Sequence, residues 1–206
     1  MAERLDYNID ITDTEFTNSE VLDYLDGDDD KSRFVLECAE LMDISVVELL
    51  SRYAGCDRHR NQIALITEFG GDDFFEQYDP SDIRESGNHY GLEVYETPSG
   101  EFAVGTSDAA DDAVRESIES SVWSFSTEFL SNFTDLPEEM FSAVQDQCEG
   151  ANDAILKCIE MVEGGIKAFA ELAVSCDGRG HFLSSYDDEE LEQYVNGTWF
   201  NMYRVN

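Results

Sequence analysis

The chain has 206 residues, with 47 Asp and Glu against 12 Lys and Arg, which gives a formal net charge of -35 at pH 7. Hydrophobic residues make up 42% of the sequence, more than a disordered acidic tail carries, so we expect a folded protein with a buried core. This charge argues against direct binding to nucleic acid or to anionic lipid, and no apolar run approaches the ~20 residues that span a bilayer.

Three explanations account for such an excess of acids. Carboxylates can mimic the phosphates of nucleic acid and bind a basic cleft, halophilic adaptation also enriches acids, and a generic solvated surface needs neither. The acids spread along the whole chain instead of forming a tail, and residues 116–153 contain no Lys or Arg. This distribution weighs against a generic surface and leaves the other two explanations open.

The first 55 residues are predicted to be mostly helical, as a possible subdomain 1–55. Apolar residues recur at helical spacing in "DKSRFVLECAELMD" and "SVVELLSRYAG". Before them, "DGDDDKSRFVLE" has acids at positions 1, 3, 5 and 12 of a calcium loop, but Lys31 replaces the sharp-turn glycine. An acidic loop at a helix N-terminus accounts for the same letters through the helix dipole, so we predict no metal there.

Residues 56–105 predict a change towards strands. "QIALIT" is a possible strand, and "FGGDDFFEQYDP" is predicted to be an acidic loop with aromatic residues. In "YGLEVYETPSGEFAVGT", alternating apolar residues flank the turn letters Pro98, Ser99 and Gly100, so we expect a β-hairpin.

Helical periodicity returns at Ser107, the predicted N-cap, and Pro137 predicts another helix start. The residues expected to face inward on these helices are Val114, Ile118, Val122, Phe125, Met140, Phe141, Val144 and Cys148. Helical patterns continue to Asp177, and "GTWFNMYRVN" predicts a closing strand. We therefore predict an α+β fold, mostly helical with a small antiparallel sheet formed by the central hairpin and the C-terminal strand, in a single acidic domain 1–206.

The cysteines and histidines indicate no metal and no cofactor. Five cysteines form no CxxC pair and are predicted to be reduced thiols in a cytosolic protein. Five scattered cysteines and three scattered histidines do not supply the four ligands of a zinc site at workable spacing. Phosphate-cradling and dinucleotide-binding glycine motifs are also absent from the sequence.

The stretch "DGRGHFLSSYDDEE" carries the residue types of an active site. On a strand, His181 and Ser185 would share one face but stand about two residue rises apart, too far for a direct hydrogen bond. A simpler interpretation is that Gly178 and Gly180 make a turn, "HFLSSY" is a strand and the acids form the next loop. We predict no catalytic residue, with an enzyme centred on His181, Ser185 and Tyr186 as an alternative.

That stretch also resembles a group of small acidic proteins encoded by bacteriophages. Members carry a similar "DGRGHFLSSYDG-E" stretch and end in a "YIYRxN"-like strand, where this chain ends in "YRVN". The segments "DAADDAVRESIESSVWSFSTEFL" and "LPEEMFSAVQDQCEGANDAIL" extend the likeness over roughly the C-terminal half, and Asp188 stands where glycine is more usual. The resemblance implies a phage protein acting in the cytoplasm of a bacterial host, and it implies no particular activity.

Charge and resemblance together predict a non-enzymatic inhibitor that mimics nucleic acid. Its partner would be a basic nucleic-acid-binding defence protein of the host, such as a restriction enzyme or a CRISPR effector. The residues predicted to bind this partner are Asp26, Asp28, Asp29, Asp30, Asp72, Asp73, Phe74, Phe75, Glu76, Asp108, Asp111, Asp112, Glu116, Glu119, Asp187, Asp188, Glu189, Glu190 and Glu192. The alternatives without mimicry are a phage structural or assembly protein and a host-takeover binding protein.

Overall fold

The computed structural model describes residues 60–69, 83–195 and 197–206. The chain divides into two compact units, one comprising residues 1–83 with 194–198 and the other residues 84–193 with 199–206. The predicted N-terminal helices, the calcium-like loop and the acidic aromatic loop lie outside the described residues. The single domain and the subdomain 1–55 stay predictions.

The fold is α+β, mostly helical with a small antiparallel sheet, as the sequence predicts. The described residues contain seven α-helices and one five-stranded sheet. In chain order the elements are α1 (Arg60–Phe69), β1 (Arg84–His89), β2 (Leu92–Thr97), β3 (Gly100–Thr106), α2 (Ser107–Ser121), α3 (Thr127–Thr134), α4 (Glu138–Gln145), α5 (Asn152–Glu160), α6 (Gly165–Asp177), α7 (Gly180–Leu183), β4 (Leu191–Val195) and β5 (Thr198–Arg204).

Helix α1 corrects the strand predicted for "QIALIT". Its residues 61–66 are all buried, and the Gln62 side-chain amide donates to the Ile83 carbonyl at 3.3 Å. A short apolar run cannot be assigned to a buried strand or a buried helix by periodicity alone. Here Ala64 and Leu65, both strong helix formers, lie inside the run.

The sheet has the strand order β1-β2-β3-β5-β4. Strands β2 and β3 form the predicted hairpin, with Val94 opposite Ala103 and Thr97 opposite Gly100. The predicted C-terminal strand is confirmed as β5, which runs antiparallel to β3 with Met202 opposite Val104. Strand β1 pairs with β2 from the other side.

The helical periodicity identified most of the core correctly. Val114, Ile118, Val122 and Phe141 are buried in one apolar cluster that also includes residues of the sheet. The inward position predicted for Cys148 is wrong, because its thiol is exposed. Helix α4 ends at Gln145, so its 3.6-residue period does not extend that far.

Helix α2 begins one residue earlier than its predicted cap implies. The Thr106 hydroxyl, not that of Ser107, accepts the Ala109 amide at 3.4 Å. Asp108 lies in the first turn of the helix, whose dipole favours a negative charge, whereas Glu119 lies in the last turn, which contains no basic residue.

Candidate functional site

One exposed face of α2 carries five of the carboxylates predicted to bind a partner. They are Asp108, Asp111, Asp112, Glu116 and Glu119. At about 100° per residue, these positions fall within an arc of about 140° on the helix surface. The opposite side of α2 holds the buried residues Ala110, Ala113, Val114, Ser117 and Ile118. The amphipathic pattern that builds the core therefore also aligns the acids in one stripe.

Arg179 joins this stripe to a second acidic segment, residues 187–192. Its guanidinium donates to Asp111 at 3.1 Å and forms ion pairs with Glu190 at 2.7 Å and with Glu192 at 3.6 Å. Both Arg179 and Glu190 are largely buried, with 17% and 19% of their side chains exposed. Sequence positions that are about eighty residues apart thus meet around one cation.

The Glu190 carboxylate lies at the centre of this network. It accepts hydrogen bonds from the Tyr203 hydroxyl at 3.1 Å and from the Asn201 side-chain amide. The Ser107 hydroxyl in turn donates to Asn201 Oδ1 at 2.9 Å. The contacts of Glu190 therefore lie within the protein, where the positive charge of Arg179 compensates its negative charge.

The network shifts two pKa values. Burial raises the pKa of Tyr203 far above its usual range, and the neighbouring Glu190 charge raises it further. Burial opposes the charge of Arg179, but the carboxylates of Glu190 and Asp111 favour that charge, and the pKa of Arg179 is raised. Arg179 is therefore a permanent cation, and Tyr203 keeps its proton and donates a hydrogen bond to Glu190.

The "DGRGHFLSSYDDEE" stretch is a compact turn and not the predicted strand. Gly178 ends α6 with φ +80°, and α7 follows immediately. A Cβ on Gly180 would come within 2.3 Å of the Asp188 carbonyl oxygen, so only glycine allows this close approach. The strand predicted for "HFLSSY" is therefore wrong, because residues 180–183 form helix α7 and the next strand begins only at Leu191.

Two further contacts fix the turn against the C-terminal strand. The buried Ser184 hydroxyl lies 2.7 Å from Asp187 Oδ1 and 2.9 Å from the Arg204 carbonyl oxygen. The hydrogen bond from Ser184 lowers the pKa of Asp187, and the Glu189 amide lowers it further. Asp188 adopts φ +59°, the left-handed conformation that glycine adopts most easily. The turn therefore has a glycine-like backbone conformation at Asp188.

The expected strand geometry of His181 and Ser185 is absent, because His181 lies in α7 and Ser185 follows it. His181 lines a groove of about 450 Å³ with several serines. Hydroxyls of this groove donate to main-chain oxygens: Ser117 to Phe182 at 3.1 Å and Ser121 to Ser117 at 2.8 Å. The first of these hydrogen bonds joins α2 to α7, and the second lies within α2.

The other residues predicted to bind a partner fall into two groups, those outside the described residues and those in the segment 187–192. Asp26, Asp28, Asp29, Asp30, Asp72, Asp73, Phe74, Phe75 and Glu76 lie outside the described residues. Asp187, Asp188, Glu189 and Glu192 are exposed, whereas Glu190 is not. We call the nine exposed carboxylates the acidic face: Asp108, Asp111, Asp112, Glu116, Glu119, Asp187, Asp188, Glu189 and Glu192.

The sequence interpretation missed Arg179, Asn201 and Tyr203, which organise one end of the acidic face. A usable signal was present, since Arg179 is the only Lys or Arg between Lys167 and Arg204. Within the described ranges, no group of three or more His, Cys, Asp or Glu could hold a metal ion, and no helix is long and apolar enough to cross a membrane.

Comparisons with protein-family models, with curated proteins and with solved structures found no match to this chain.

Proposed function

We propose that this chain is a phage-encoded, non-enzymatic inhibitor that binds a basic nucleic-acid-binding defence protein of the bacterial host. The acidic face takes the place of nucleic acid in the cleft of an antirestriction or anti-CRISPR target. Inhibition follows from occupancy, because a cleft filled by carboxylates is closed to phosphates.

The observation that carries the proposal is the spacing of charges along α2. The eleven residue steps from Asp108 to Glu119 rise by about 16 Å, which gives about 4 Å of helix axis for each interval between the five carboxylates. One strand of B-DNA has a phosphate every ~3.4 Å of axis. The stripe therefore presents nearly the linear charge density of a single strand, interrupted by Arg115.

The second acidic segment widens this surface. Arg179 binds Asp111, Glu190 and Glu192 together, so the carboxylates of Glu190 and Glu192 lie beside Asp111 in the N-terminal half of α2. The net charge of -35 adds a long-range field that accelerates encounter with a basic cleft and weakens as salt is added. The likeness to acidic phage proteins supports an origin and a site of action in the infected cell.

The decisive experiment is affinity capture from bacterial host lysate with three tagged versions of the chain. The first is the natural sequence. The second removes four charges of the acidic face: Asp108→Asn, Asp112→Asn, Glu116→Gln and Glu119→Gln. The matched control removes four exposed charges from α3, α4 and the turn after α4: Glu128→Gln, Glu139→Gln, Asp146→Asn and Glu149→Gln.

We expect the natural sequence and the control to capture one nucleic-acid-binding protein, which salt releases and duplex DNA displaces. The acidic-face variant should lose most of this capture, and the isolated partner should lose its DNA binding when the natural chain is added. Capture of phage particle proteins in a salt-resistant complex, or equal capture by all three versions, would contradict mimicry of nucleic acid by the acidic face and would favour a role in assembly.

A further inference from the structure

A groove between α2 and α6 lies directly beside the stripe of carboxylates. Its volume is about 400 Å³, within the range of small-molecule and side-chain pockets. The floor is apolar and consists of Val114 from α2 with Ala170 and Val174 from α6. Val114 and Ala170 are almost fully buried, so the floor is part of the packed core.

The rim of this α2–α6 groove is acidic. Asp108, Asp111 and Asp112 line it from α2, and Glu171 lines it from α6. The same rim holds two cations, Arg115 and Lys167, which leaves a net formal charge of -2 on the lining residues, from four acids against two bases.

Those two cations are held weakly. Arg115 pairs with Asp112 at 2.8 Å and Lys167 approaches Glu171 at 4.0 Å, and in both pairs every side chain is at least 40% exposed. Exposed pairs of this kind contribute ~0–1 kcal/mol, so a competing cation displaces them at little cost. Within the described chain, Asp108 has no ion-pair partner at all.

The neighbouring Arg179 shows what this surface accepts. Its guanidinium lies among three carboxylates, with Asp111 of the groove rim as one of them. A guanidinium is planar, weakly hydrated and able to donate two parallel hydrogen bonds, and its methylene stem packs on apolar surface. An apolar floor below a carboxylate rim matches each of these properties.

We propose that the α2–α6 groove is an anchor site for an arginine side chain of the basic partner. The methylenes of that arginine pack on Val114, Ala170 and Val174, and its guanidinium binds the carboxylates of Asp108 and Glu171. This inference rests on the proposed function for the origin of the arginine, whereas binding to the groove itself can be tested without the host protein.

The test uses hexa-arginine and hexalysine peptides, which carry the same charge, titrated into the full chain at ~0.15 M salt, where the Debye length is ~8 Å. Methyl NMR signals of Val114, Ala170 and Val174 report occupancy of the groove. We expect hexa-arginine to shift these signals and to bind at least about fivefold more tightly than hexalysine.

Two variants with matched controls locate the site. Ala170→Met fills the floor without changing charge, and Ala143→Met makes the same exchange on the exposed surface of α4. Because Ala170 is nearly buried and its enlargement can disturb folding, Glu171→Gln on the exposed rim is the second variant, with Glu139→Gln as its control. Each groove variant should weaken hexa-arginine binding at least about threefold, and each control should leave it unchanged.

The outcomes separate the two proposals. Equal affinity for both peptides, or groove variants that bind like their controls, would overturn the anchor site. If the acidic-face variant loses the host partner while Ala170→Met and Glu171→Gln retain it fully, the inhibitor function stands and the groove proposal fails. If the groove binds hexa-arginine but no DNA-displaced partner is captured, the arginine site stands and the inhibitor function fails.

Discussion

Replacing Arg179 by methionine should be the most destabilising single surface-charge change in the described part of the chain. The substitution keeps an apolar stem of similar length but leaves the Glu190 carboxylate, only 19% exposed, without its cation. An unpaired carboxylate that is largely desolvated costs more than the ion pair contributed, because water cannot replace the lost partner.

The magnitude follows from the exposure of each partner. Breaking a fully buried pair costs ~3–5 kcal/mol and losing a hydrogen bond to a charged group costs ~1.5–3 kcal/mol, so we assign ~2–3 kcal/mol to the Glu190 contact. The Asp111 and Glu192 carboxylates are 67% and 56% exposed, and each adds only ~0.2–0.5 kcal/mol. Arg179→Met should therefore lower the free energy of unfolding by about 2–4 kcal/mol.

The assay is urea unfolding at pH 7, followed by far-ultraviolet circular dichroism. Arg115→Met is the matched control, because it changes the net charge equally but removes only the exposed pair with Asp112, worth ~0.2–0.5 kcal/mol. A double-mutant cycle with Glu190→Gln should show a coupling of at least about 1 kcal/mol. If Arg179→Met and Arg115→Met have the same effect within about 0.5 kcal/mol, the network does not hold this turn in place and the reasoning is refuted.

Three further changes test the turn and the sheet. Gly180→Ala should cost about 1–3 kcal/mol, because its Cβ would overlap the Asp188 carbonyl, whereas Gly87→Ala, with no atom within 4 Å, should be near neutral in the same unfolding experiment. The free energy of unfolding of Asp188→Gly should be at least about 1 kcal/mol higher than that of Asp188→Val, because only valine places a β-branched side chain at φ +59°. Equal stabilities of the two variants would contradict a left-handed backbone at this position. Burial lowers the pKa of His89, although its hydrogen bond to the Leu183 carbonyl acts the other way, so the fold favours the neutral ring. This contribution to stability is present above pH ~6.5 and is lost as the pH falls through the lowered pKa of His89. The difference in free energy of unfolding between the natural chain and His89→Gln should therefore shrink from pH 7 to pH 5. A difference that does not change with pH would show that the pKa of His89 is not lowered.

The elements that were predictable from the sequence are those whose apolar residues recur on one face and are buried in the core. The hairpin followed from alternating residues such as Leu92 and Val104, and helix α2 followed from Val114 and Ile118 on one face. Strand β1 has the sequence "RESGNH" and shows no such alternation, because it is exposed and is held by main-chain pairing to β2. Strand β1 forms because it pairs with β2, and the periodicity of its own sequence does not indicate that pairing.

The acidic stripe was predictable for the same reason as α2, since its carboxylates occupy the complementary helical positions. The fate of Glu190 was not. In the sequence it is one of four consecutive acids, and only the folded chain brings Arg179, Asn201 and Tyr203 around it. Counting charges identifies a surface, whereas deciding which charge is compensated needs contacts between distant positions.

The last turn of α2 has a consequence for how the chain responds to a partner. Glu119 lies in this last turn, at the negative end of the helix dipole, and such a placement costs about 0.3–1 kcal/mol. The free protein therefore keeps a local electrostatic conflict that no residue of that turn relieves. A cationic surface docking there removes the conflict, so that part of the binding free energy appears as resistance to unfolding. Folding and recognition would then be thermodynamically linked through one helix end, and the complex would melt later than the free chain by an amount that salt reduces.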